Sequence, residues 1–128
     1  MPEWDSYKAE AKARGSLALE LYVAQSMPAK PPEEVKAKVA EHLAYQATLE
    51  SKGALAFAGP MSDETGTQMQ GIGLIVYRAS SFEAARALAE ADPMHASGAR
   101  SFTLRKWMIN EGSFTLSVGL SHQNVELS

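Results

Sequence analysis

The sequence predicts an α+β fold of the ferredoxin-like kind, with the order βαββαβ and two helices on one face of a single sheet. Three observations carry this expectation. Residues 17–24 alternate, with Leu17, Leu19, Leu21 and Val23 on one face and Ala18, Glu20, Tyr22 and Ala24 on the other, which is the period of a strand. Val35, Val39, His42, Leu43, Gln46 and Leu49 then recur at helical spacing. Beyond Gly53 the apolar segments come in the order strand, strand, helix, strand. At 128 residues the chain is expected to form one domain, burying roughly 65–70% of its unfolded surface. Its core is expected over 17–110, with a leading helix over 1–15 and an extension over 111–128.

The leading helix is expected over residues 5–14, with Asp5 as its cap and Gly15 as its stop. The strand over 17–24 follows. Pro31 and Pro32 suit the first turn of a helix, and Glu33 and Glu34 suit the positive end of its dipole. That helix is expected to run unbroken to about Lys52. Residues 54–58 read as a short strand ended by Gly59-Pro60, and the polar stretch Met61 to Gln70 as an exposed loop. Residues 72–79 read as a strand apolar on both faces. Ser80 or Ser81 caps the next helix, which turns Phe82, Ala85, Leu88 and Ala89 inward. Residues 100–109 and 114–120 form the last two strands, joined across Asn110–Ser113 as a hairpin.

Two helices cover one face of such a sheet. The strand over 72–79 is nevertheless apolar on both faces, and the next one puts Phe102 and Leu104 on one side and Trp107 and Ile109 on the other. The second apolar face needs a partner. A second copy, sheet against sheet, is the simplest one, giving a homodimeric α+β barrel; the leading helix or the last strand folding over that face is the alternative.

A net charge of −3 with no basic stretch argues against nucleic acid as a partner. No apolar run approaches the ~20 residues of a membrane helix. The start Met-Pro-Glu-Trp-Asp lacks the basic and apolar regions of a signal peptide. With no cysteine in the chain, disulfides and thiol chemistry are excluded. Together these features fit a cytoplasmic location.

The segment Ala91-Asp92-Pro93-Met94-His95-Ala96-Ser97-Gly98 is the most informative. Helix C-termini favour cations, so an acid there is misplaced. Pro93 also pushes Asp92 into an extended conformation. A carboxylate held in that way calls for a compensating partner, and His42, on the apolar stripe of the earlier helix, is the candidate. A histidine on such a stripe is commonly a core residue, and an aspartate before proline is commonly a plain helix stop. A His–Asp pair, in contrast, holds one imidazole tautomer and raises its basicity.

These residues resemble the YciI-like (YCII-related) family. The resemblance is carried by His42, the run Gly53-Ala54-Leu55 through Ala58-Gly59-Pro60, Gly71, the Phe82-Glu83-Ala84-Ala85 helix, Asp92-Pro93 with Gly98, and Trp107. It implies a dimeric α+β barrel with a histidine–aspartate pair in a cleft, matched here by His42 and Asp92. It also implies that this pair is catalytic, and one branch is linked to dehydrochlorination of a chlorinated hydroxyhydroquinone. The chain departs from the family in having Met94 where an aromatic usually follows Asp-Pro. It also lacks an arginine before His42, with Lys38 the nearest base, and adds a helix and a strand at its ends.

Around the pair, His95, Arg105 and Tyr45 are candidate substrate-binding residues. His95 shares the Asp92 loop, with an exposed histidine of no role as the alternative. Arg105 and Lys106 face opposite ways, so that one meets an anion or both are solvated. Tyr45 lies one turn from His42, at the cleft edge or packed on the helix flank. Arg100 and Arg78 have weaker claims, and Met61, Met69, Met94 and Met108 could supply an apolar lining. His42, His95 and His122 have no metal-ligand spacing, and Gly71-Ile72-Gly73 lacks the third glycine and the helix of a dinucleotide site. No metal or cofactor is therefore expected. Two functional readings follow: a proton-transfer enzyme acting on a small polar or phenolic substrate, or a non-catalytic ligand-binding or accessory dimer in which His42–Asp92 is structural. They differ in whether the pair opens onto a cavity.

Overall fold

A computed structural model describes residues 1–128. The elements are α1 (Trp4–Ala13), β1 (Leu19–Pro28), α2 (Pro32–Lys36), α3 (Val39–Ser51), β2 (Leu55–Ser62), β3 (Met69–Tyr77), α4 (Phe82–Ala91), α5 (Pro93–Ala96), β4 (Arg100–Ile109), β5 (Leu116–Gly119) and β6 (Asn124–Leu127). The chain divides into two compact units, Glu20–Trp107 and the paired ends Met1–Leu19 with Met108–Ser128. No helix is long and apolar enough to cross a membrane.

The unit over Glu20–Trp107 contains the βαββαβ order. Its sheet runs β2-β3-β1-β4. β1 pairs antiparallel with β3, matching Tyr22 with Tyr77 and Ala24 with Ile75, and β2 pairs antiparallel with β3. Tyr22, Ala24, Ile75, Tyr77 and Leu104 share one face and pack against Leu49 of α3 and Ala85 and Ala89 of α4. Burying each of the larger apolar side chains contributes roughly 1.5–3 kcal/mol. α4 keeps its expected orientation, because Ser81 accepts the Ala84 N–H at 3.0 Å and the small residues Ala85 and Ala89 let the helix approach the sheet.

Several boundaries differ from the sequence expectation. The long second helix is two helices, broken at Ala37 and Lys38. Of its expected stripe only Leu49 is fully buried, while Leu43 and Val39 are exposed. β1 begins at Leu19 and continues to Pro28. β2 passes through Gly59-Pro60 to Ser62; β2 is the edge strand, the place in a sheet where proline is tolerated. The expected loop over 61–70 shrinks to a hairpin tip in which Asp63 N–H donates to Gln68 O at 2.8 Å and Asp63 Oδ1 accepts from Thr65.

In the other unit, α1 starts at Trp4 after Glu3, without a side-chain cap from Asp5. β5 does not form a hairpin with β4. It pairs antiparallel with β6, matching Leu116 with Leu127 and Val118 with Val125, as a separate two-stranded sheet. The added C-terminal strand of the sequence reading is thus two strands.

Candidate active site

Asp92 stands between α4 and α5 with φ −61° and ψ 125°, the extended conformation that Pro93 imposes. It caps α5, its Oδ1 accepting the Met94 N–H at 2.9 Å. The acid that looked misplaced at the end of α4 therefore faces the positive end of the following turn. The same carboxylate meets His42 of α3, whose Nδ1 lies 2.9 Å from Oδ1 and 2.8 Å from Oδ2. The Asp92 side chain is 1% exposed and that of His42 18%. An ionised carboxylate only accepts, so Nδ1–H donates and Nε2 is left as the nitrogen free to accept a proton.

His42 lines a cavity of about 390 Å³. Leu43 and Gln46 of α3, Met94 of α5, Ser26 of β1 and Arg100 of β4 join it. Gly59, Gly71 and Gly73 form part of the wall, and the lack of side chains there leaves room above the ends of β2 and β3. Gly71 has φ +84°, in the region that favours glycine, within the irregular stretch between the Pro60–Gly73 and Ser62–Met69 pairs.

A second polar chain adjoins the cavity. His95 Nδ1–H donates to Ala89 O at 2.8 Å, so His95 Nε2, 2.9 Å from Ser26 Oγ, accepts the serine proton. Ser26 Oγ in turn accepts Arg100 Nε–H at 2.9 Å. Arg100 Nη2 donates to Ser26 O at 2.8 Å and to Gly71 O. Burial pushes the His95 imidazole below its ordinary value, against the opposing pull of the Ala89 carbonyl and the Asp92 charge. Its ring also lies 4.6 Å from that of Phe102.

The structure thus brings His42 and Asp92 together, puts Met69 and Met94 of the candidate apolar lining at the cavity, and places Tyr45, His95 and Arg105 elsewhere. Tyr45 packs against the core and donates its hydroxyl proton to Leu88 O at 2.7 Å; it is not among the cavity-lining residues. His95 lies behind Ser26 with both ring nitrogens engaged. Arg105 is exposed on β4, on the side of the strand away from Leu104. The cation at the cavity is Arg100, rated weaker in the sequence, and Ser26 was missed. Both had a signal: Ser26 continues the buried series Tyr22, Ala24, and Arg100 shares the parity of Phe102 and Leu104. No group of three or more His, Asp or Glu side chains converges in a metal-ligating arrangement.

Residues 18–108 match the YCII-related domain family. The chain belongs to this family. The YCII-related span coincides with the unit Glu20–Trp107 to within two residues at one end and one at the other, leaving α1 and the β5–β6 hairpin outside it. Among curated proteins the chain is 34% identical over 73 residues to the uncharacterized protein YjpA of Bacillus subtilis (strain 168), covering 57% of this chain and 79% of that protein. Among solved structures it is similar to the 5-chloro-2-hydroxyhydroquinone dehydrochlorinase TftG from Burkholderia phenoliruptrix AC1100, in complex with 2,5-dihydroxybenzoquinone. The TM-score is 0.51 at 19% identity, over 81% of this chain and 99% of that one. A likeness at that identity speaks for the fold.

Proposed function

We propose that this YCII-related protein is a small enzyme that moves a proton on a compact polar or phenolic substrate, with His42 as general base and Asp92 as its positioning and charge-stabilising partner. The observation that carries the reading is the His42 Nδ1 to Asp92 Oδ2 contact of 2.8 Å in a ring that also lines a cavity. A sealed structural pair would have no such opening. The fold shared with TftG, a dehydrochlorinase whose complex holds a hydroxylated quinone, agrees with this reading.

In the proposed step Nε2 takes a proton from a substrate hydroxyl. The O–H bond breaks, an N–H bond forms, and the electron pair stays on the substrate oxygen. Asp92 stabilises the resulting imidazolium. The oxygen pair then forms C=O while the imidazolium returns the proton to a ring carbon, as in an isomerisation. If that carbon carries a halogen, loss of a second hydroxyl proton forms another C=O and the C–halogen bond breaks with its electron pair on the departing halide, a net loss of HX as in a dehydrohalogenation. General acid–base catalysis of this kind typically contributes ~10²–10⁴-fold, and a cavity of about 390 Å³ is at the low end of the ~300–1,000 Å³ range of ligand pockets, suited to a single ring.

The reading includes a homodimer formed through the sheet face away from α3 and α4, where Trp107 is 44% exposed, and a cytoplasmic location. A panel of hydroxylated and chlorinated one-ring compounds, followed by NMR for solvent deuterium exchange and by chloride release, tests it. Turnover by the wild type that falls ~10²-fold or more in His42→Ala supports the proposal. Turnover that survives His42→Ala, or a folded wild type that processes none of the panel, overturns it.

A further inference from the structure

Arg100 is held by neutral partners only. Nε and Nη2 are taken up by Ser26 Oγ, Ser26 O and Gly71 O, and the guanidinium forms no ion pair. Three of the five N–H groups are therefore fixed, and the two on Nη1 have no acceptor within the protein. The side chain is partly buried and lines the same cavity as His42. The Asp92 carboxylate is close enough to act on it through space, but it spends its oxygens on His42 and Met94. A guanidinium taken partly out of water with no carboxylate in contact is unfavourable. One whose plane is already fixed by three acceptors presents its remaining edge at little further ordering cost.

We propose that Arg100 is the anion anchor of this cavity and that the ligand is a one-ring organic monoanion with its charge on oxygen, bound by Nη1 beside His42. The substrate class rests on the proposed proton-transfer site, and Arg100 gives that site its sign. When His42 removes a proton from a hydroxyl, the oxygen left negative is matched by the guanidinium. Ser26 and His95 are positioning residues here. His95 Nδ1–H is committed to Ala89 O, so its Nε2 draws the Ser26 proton away and turns the serine lone pairs toward Arg100 Nε–H. The apolar part of the lining, Leu43, Met69, Ile75 and Met94, suits a ring better than an inorganic ion.

Calorimetric or NMR titration of the wild-type protein with unreactive pairs tests this without any chemistry: benzoate against benzamide, and 4-nitrophenolate against 4-nitroanisole. The expected result is at least ~10-fold tighter binding of the anion in one or both pairs, the worth of a charge-assisted hydrogen bond. The pair with the larger ratio identifies a carboxylate or a phenolate as the preferred source of charge. Arg100→Gln is expected to erase the preference, Arg100→Lys to keep part of it, and Arg86→Gln, on the exposed side of α4, to leave it intact. His42→Ala is expected to keep the preference while losing turnover, so the two proposals fail separately. Equal binding of anion and neutral partner by the wild type, no binding of either anion, or a preference that survives Arg100→Gln overturns the assignment. Should Arg100→Gln not fold, the wild-type ratios and Arg100→Lys decide.

Discussion

Asp92 ties the Met94 N–H of α5, at 2.9 Å, to the same carboxylate that holds His42. One side chain thus ends α4, starts α5 and fixes a ring 50 residues earlier in the chain. The two roles come apart on substitution. Asn retains capping ability, whereas Ala removes the cap, worth ~1 kcal/mol, and leaves the His42 Nδ1–H without its acceptor, a further ~1–3 kcal/mol. Urea unfolding is expected to place Asp92→Ala about 2–4 kcal/mol below the wild type and Asp92→Asn clearly above Asp92→Ala. Equal stability of the two variants would mean that the cap does not matter.

Function is expected to reverse that order of tolerance. With an Asn oxygen kept on the Met94 N–H, its NH₂ faces His42 Nδ1 and drives the proton to Nε2. The base is then lost although the fold is kept. Nitrogen NMR of the imidazole is expected to report the Nδ1–H tautomer of His42 in the wild type and the Nε2–H tautomer in Asp92→Asn, with turnover down ~10²–10⁴-fold. A tautomer indifferent to Asp92→Asn would separate the aspartate from the histidine's chemistry.

What the sequence disclosed follows from local physics. Alternation revealed β1, a serine cap and small inward residues revealed α4, and the proline after Asp92 revealed the extended carboxylate. Its pairing with His42 could be suspected from an unfavourable charge, although capping of α5 answers part of that conflict. The rest depended on tertiary partners. Nothing at Ala37-Lys38 signals a break between α2 and α3. Gly59-Pro60 reads as a stop until β2 is known to be an edge strand. β5 was paired with its sequence neighbour because the four residues of β6 are too short to stand out. Alternation puts Arg105 and Arg100 on opposite faces of β4, but it does not say which face holds a cavity.

The sheet face away from α3 and α4 offers a test of the proposed dimer. Trp107 is 44% exposed there, and a large aromatic at an interface centre commonly contributes 2 kcal/mol or more (roughly) to association. Light scattering after gel filtration is expected to give a dimer for the wild type and a shift toward monomer for Trp107→Glu. A monomeric wild type at tens of micromolar would remove the dimer from the proposal.

His95 sets a pH dependence of stability. Burial holds its folded-state value below the ordinary one of 6.5, so between those two values the unfolded chain binds more protons than the folded one. Stability then rises with pH across that window. The contribution is complete above about 6.5 and is lost as the pH falls toward the folded-state value, where the slope levels off. Urea midpoints from pH 8 to 5 are expected to fall in the wild type and to fall less steeply in His95→Gln. Identical slopes would show that His95 does not carry the effect.

Gly71 joins backbone strain to the site. Its φ is +84°, and a Cβ there would lie 3.0 Å from Cγ of Pro28, so alanine meets both an unfavourable dihedral and a rigid ring. Neither is easily relieved, since Pro28 ends β1 and Gly71 sits in the irregular stretch of β3. Gly71→Ala is therefore expected to cost about 1–3 kcal/mol, read by urea unfolding. Because Gly71 O is one of the acceptors that fix Arg100, the backbone shift that accommodates the methyl also loosens the guanidinium. Benzoate binding is expected to weaken in the folded fraction of this variant, while a glycine-to-alanine change at Gly53, where φ is +77° and nothing lies within 4 Å of the added Cβ, lowers stability and leaves benzoate affinity alone. If both variants bind benzoate equally well, the Gly71 carbonyl has no part in orienting Arg100.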